Sequence, residues 1–169
     1  MNGYRSLIKR LTGLLEEETE LFESLLFILI DEKKALTSAR MNKLNEACKE
    51  KENIILKIRI LEEQRVRVLQ KISTLNDGPH ENITLEGLSE LAGEDEYARL
   101  RKCRSNLLSL AESIGELNNS NRSLLNHSIG FVRTSLSFLD NFISPRPLYF
   151  SNGQLRAYDQ SGRIFSGHH

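Results

Sequence analysis

The sequence predicts an all-α fold: an elongated antiparallel bundle of three long helices, the first two paired as a hairpin. Three observations carry this. Apolar residues recur at alternating steps of three and four over three long stretches, the spacing of one buried helix face. Breakers are scarce, with three prolines in 169 residues, one in "DGPH" and two in "SPRP". The phase of the apolar pattern also slips once between those marks, within "LTSARMN", residues 36–42.

The first helix is expected from Leu7 to about Ala39. Its seam runs Leu7, Leu11, Leu14, Glu18, Leu21, Leu25, Ile28 and Glu32, and Ile8, Leu15, Phe22, Leu26 and Leu29 widen it. That breadth suits a bundle more than a two-stranded coiled coil. A second series holds Leu44, Ala47, Lys51, Ile54, Ile58, Leu61, Arg65, Val68, Ile72 and Leu75, in a different register. A tight turn between antiparallel helices explains the slip best; a stutter in one continuous helix is the alternative. Within "KENIILKIRILEEQR", residues 51–65, this places Ile54, Ile58 and Leu61 inward and makes the stretch a strut.

"NDGPHEN", residues 76–82, stops the second helix. In the "TLEGLSELAG" that follows, Leu85, Leu88 and Leu91 share one side, which predicts a short helix in the connection. The third long helix runs from about Glu94 to Ile143. Its seam is unbroken from Leu100 through Cys103, Leu107, Leu117, Asn121, Leu124 and Phe131 to Phe142. Glu94, Asp95 and Glu96 occupy its first turn, where the helix dipole favours acid. "SPRP" ends it, so residues 1–144 are expected as the bundle domain and 145–169 as a tail. In the tail, Asn152-Gly153 between apolar flanks signals a hairpin, which alone is marginal in water. The tail is thus a hairpin or disordered.

Composition excludes several functions. Lys plus Arg and Asp plus Glu both number 23, so the formal charge is zero, against the basic excess of a general nucleic-acid binder. No apolar run approaches the ~20 residues of a membrane span, and the first residues lack a signal-peptide pattern. Cys48 and Cys103 are isolated and read as reduced thiols. No Glu-x-x-His pair, phosphate loop or Cys–His neighbour is present, so neither an enzyme nor a metal or cofactor protein is expected. The acidic run Glu16-Glu17-Glu18 with Glu20 reads as a solvated surface.

Two features stand out. Asn121 is a polar residue on the third seam, the kind that fixes register at some cost in stability. The C-terminal half of the third helix is unusually apolar, with Phe131, Val132, Leu136, Phe138, Leu139, Phe142 and Ile143. Either these residues are all core, or this end leaves an apolar groove that takes an amphipathic helix.

These pieces together resemble the FlgN family of flagellar export chaperones. The resemblance is carried by "EKKAL" (32–36), "LEEQR" (61–65), "LNNSNRSLL" (117–125) and "YDQSGR" (158–163), in that order. It implies a cytoplasmic, non-enzymatic chaperone. Such a protein binds the C-terminal helical segments of hook-associated proteins and delivers them to the flagellar type III export apparatus. It further implies that the substrate surface lies at the end of the third helix and in the tail. There, Phe131, Leu136, Phe138, Leu139, Phe142 and Ile143 are the candidate contacts. Tyr149 or Tyr158 would dock at the export gate. The rival reading is a generic coiled-coil or bundle adaptor subunit that forms homo-oligomers through the same apolar stripe.

Overall fold

The computed structural model describes residues 2–75, 87–88 and 92–143, with side chains except those of residue 2 and residues 141–143. Every long element among them is a helix: α1 (Asn2–Thr37), α2 (Met41–Leu75) and α3 (Glu94–Ile143). The predicted hairpin in the tail and the boundary at 144/145 lie outside the described residues. Of the connecting helix, Gly87 and Leu88 are described and are helical, and the Ala92 amide donates to the Leu88 carbonyl at 2.8 Å. By contact the chain falls into two units, residues 1–125 and residues 126–169.

In the first unit α1 and α2 form a hairpin, and the register slip is its turn. The turn closes without glycine. The Arg40 amide donates to the Ala35 carbonyl at 3.0 Å and the Ala39 amide to the Leu36 carbonyl at 3.3 Å. This is the bond pattern of a Schellman cap, which puts one residue in the left-handed region. Here that residue is Ala39, with φ of 52°. Small side chains follow on both arms, Ala35 and Ala47, both buried, which lets the helices approach closely beside the turn.

The pairing of ionic groups fixes the directions. Glu32 of α1 meets Lys51 of α2, and Glu18 meets Arg65, so α1 and α2 run antiparallel. Glu16 of α1 meets Arg99 of α3 and Glu32 meets Asn121, so α3 runs parallel to α1. The core lies where α1 begins, α2 ends and α3 begins. Ile8, Leu11 and Leu14 pack with Leu61, Val68 and Ile72, and Leu88 and Leu100 join them. Each such side chain contributes about 1.5–3 kcal/mol on burial. Thr12 is fully buried among them, its hydroxyl satisfied by the Ile8 carbonyl at 3.0 Å.

The left-handed residue yields a prediction. A non-glycine residue there costs roughly 1–2 kcal/mol, and glycine returns part of that gain as unfolded-chain entropy. Ala39 is exposed and makes no packing contribution to lose. Ala39→Gly is expected to stabilise the protein by about 0.5–1 kcal/mol, raising Tm by roughly 2–3 °C in thermal denaturation followed by circular dichroism. A lower Tm would contradict this geometry at the turn.

Candidate partner-binding surface

The second unit contributes the end of α3, residues 126–143. Its sequence, NHSIGFVRTSLSFLDNFI, keeps helix because it holds no proline and its one glycine, Gly130, sits in open space where an added Cβ would meet no atom within 4 Å. The polar side chain of Thr134 is satisfied within the helix, its hydroxyl donating to the Gly130 carbonyl at 3.0 Å. Helical spacing sets Phe131, Ser135 and Phe138 along one line and Val132, Leu136 and Leu139 along the next. This double line is exposed: Phe131 is 75 % accessible and Phe138 61 %, and Val132, Leu136 and Leu139 are more than half accessible. Among these residues only Arg133 and Asp140 carry charge at neutral pH, with His127 beside them.

Four of the eight candidate contacts, Phe131, Leu136, Phe138 and Leu139, are therefore on one exposed stripe. The backbone of Phe142 and Ile143 continues the helix, but their side chains, like Tyr149 and Tyr158, lie outside the described residues. Ile129, also exposed, extends the stripe by a turn. Its position two before Phe131 breaks the three-four series, which is why a seam-based reading passed over it.

The first unit handles its polar seam residues differently. The buried Glu32 carboxylate takes the Lys51 ammonium through Oε1 and the Asn121 amide nitrogen through Oε2 at 2.9 Å. The same Asn121 nitrogen also faces the Leu29 carbonyl, at 2.8 Å. Two acceptors around Nδ2 fix which way the amide points, and Oδ1 is left buried with no hydrogen-bond partner. The Cys48 thiol lies 4.0 Å from Glu32 Oε1. Asn121 thus does what a seam asparagine was expected to do, at the cost of one orphaned acceptor.

Glu18 departs from the solvated-surface reading of the acidic run. Glu17 and Glu20 are exposed, but Glu18 is buried. Burial pushes its carboxyl above the ordinary carboxylate range. Arg65, 3.6 Å away, opposes the shift and Glu62 adds to it. Arg65 is held mainly by Glu62, which takes its Nε at 3.1 Å and also its Nη2. Burial likewise raises the Cys103 thiol, with Glu16 contributing; both cysteines are free. Among the described residues no cluster could hold a metal ion, and no helix is long and apolar enough to cross a membrane.

An exposed apolar helix end on a chain without a catalytic or metal constellation among its described residues points toward protein recognition. The comparison with family models decides which kind. The model of the FlgN protein family matches residues 1–157. The chain belongs to the FlgN family. No curated protein and no solved structure matches it. FlgN proteins are chaperones of flagellum biogenesis and not an enzyme family, so membership supports a flagellar export chaperone role in general terms.

The buried Glu18 gives a pH prediction. Folding raises its pKa, so the native state holds the proton more tightly than the unfolded chain does. The stability this confers is present below the unfolded range and is lost as pH rises through the folded value. Glu18→Gln removes that loss and leaves Arg65 its bond to Glu62. The variant is expected to melt close to the parent at pH 4 and above it at pH 7. A Tm difference that does not change with pH would show that Glu18 is not desolvated.

Proposed function

We propose that this FlgN family member is a cytoplasmic export chaperone. It binds the C-terminal helical segments of flagellar hook-associated proteins and delivers them to the flagellar type III export apparatus. The observation that carries the reading is the exposed, nearly uncharged stripe of Phe131, Val132, Leu136, Phe138 and Leu139 on α3. An amphipathic helix laid along it would bury these side chains at about 25 cal/mol per Å², less the cost of ordering the segment. A cargo segment that folds as it binds loses part of the gain to ordering, which keeps affinity moderate and release feasible. Phe142 and Ile143 extend the same two lines. In this reading a tail tyrosine docks the loaded chaperone at the export gate. The family match takes in Tyr149 and ends one residue short of Tyr158, which favours Tyr149.

The test is calorimetric titration of the full chain with the C-terminal helical segment of a hook-associated protein from the same organism. One-to-one binding at micromolar Kd or tighter is expected. Phe131→Asp and Phe138→Asp each remove burial worth about 1.5–3 kcal/mol, so they should weaken binding roughly tenfold to a hundredfold. Helical content and Tm should stay near the parent's, because both side chains are exposed. If either change unfolds the protein, these residues are core. If the folded parent binds no such segment, the chain is a bundle adaptor with a different partner.

A further inference from the structure

The hairpin carries a second apolar surface, within residues 1–125. Between α1 and α2 runs an open groove with Leu21, Ile60 and Leu61 at its base. Ile60 is 48 % accessible. In the antiparallel register, Phe27 of α1 and Leu56 of α2 sit level with one another, a turn further along, and Phe27 is 69 % accessible. From Glu17 to Phe27 the groove follows about three turns of α1, roughly 15 Å, the span of the i, i+4, i+7 anchors of a docked helix.

The lips of the groove differ in charge. Glu17 and Glu20 stand on the α1 side and Lys57 on the α2 side. None of the three joins an ion pair among the described residues. Elsewhere on the hairpin exposed charges are matched locally, Asp31 with Lys34, Lys43 with Glu46 and Glu63 with Arg67. The groove thus offers an apolar floor beside two uncompensated carboxylates.

We propose that this groove is a second docking surface, which receives an amphipathic helix of a protein partner. The apolar stripe of that helix lies on Leu21, Ile60 and Leu61, and lysine or arginine side chains along one edge meet Glu17 and Glu20. A second copy of this chain is a poorer fit. Its own groove brings two carboxylates and a single ammonium, so like charges would face one another across most of the contact. The proposal rests on the hairpin alone and is independent of the reading of α3.

The probe is a fluorescein-labelled synthetic peptide of 18 residues, about five helical turns. It has leucines at i, i+3, i+4 and i+7 spacing, lysine and arginine along one flank, and alanine elsewhere. A companion peptide carries glutamate in place of the basic residues. Fluorescence anisotropy on the full chain at low salt is expected to show the basic peptide bound at least tenfold tighter than the acidic one. Glu17→Lys combined with Glu20→Lys should reverse that preference, and Ile60→Asp should weaken both by tenfold or more. Phe131→Asp should leave binding unchanged. Circular dichroism confirms that each variant is folded, as expected for exposed positions. Equal binding of the two peptides, binding insensitive to the charge reversal, or loss of binding in Phe131→Asp would overturn the proposal. So would a dimer of the parent chain that Ile60→Asp dissociates in sedimentation velocity.

Discussion

One carboxylate ties the three helices together. Glu32 is buried on α1 and holds Lys51 of α2 with one oxygen and Asn121 of α3 with the other. A buried charge is tolerated only where its partners are fixed, and losing either would leave it uncompensated in a low dielectric. The seam therefore has one favoured register. Sliding α2 or α3 by a residue would carry Lys51 or Asn121 away from Glu32 and bring an apolar side chain to the carboxylate. The orphaned Oδ1 of Asn121 shows that this specificity is not optimised for stability alone.

The second ion pair follows from the same register. Glu18 and Glu32 are two heptads apart on α1, and Arg65 and Lys51 are two heptads apart on α2 in the opposite order. An antiparallel hairpin that makes one pair makes the other. The apolar cluster of Ile8, Leu11, Leu14, Leu61, Val68 and Ile72 supplies most of the burial energy, but such side chains tolerate slips better than ions do. Burial drives the packing and the polar seam selects its register. Arg99 adds an exposed tie between α3 and α1, accepted by both oxygens of Glu16 at 2.7–3.0 Å.

Much of this was legible in the sequence because long helices declare themselves by period. The break at 36–42 proved to be a turn, and the third helix has the bounds its pattern indicated, Glu94 to Ile143. Leu61 is buried and Ile54 and Ile58 half-buried, as a strut requires. Two things were not legible. Ala39 gave no sign of a left-handed residue, because that conformation is usually read from glycine or asparagine. Periodicity also says which residues share a face but not whether the face is covered. Ile55, Leu56 and Ile60 fall outside the seam and are exposed, and the double line on α3 was open to either a core or a groove reading until its accessibility was known. The equal spacing of Glu18–Glu32 and Lys51–Arg65 was the unused signal for the hairpin register.

The resulting picture is a hairpin held in register by buried charge, with an exposed apolar helix end as the proposed seat of cargo. Hydrogen–deuterium exchange of the full chain, with and without the C-terminal segment of a hook-associated protein, tests this most directly. Exchange reports local opening, and a docked helix suppresses the opening of the backbone it covers. The account predicts added protection in residues 126–143 and little change in the amides around Glu32 and Lys51. Protection confined to the α1–α2 hairpin, with residues 126–143 unchanged, would contradict it.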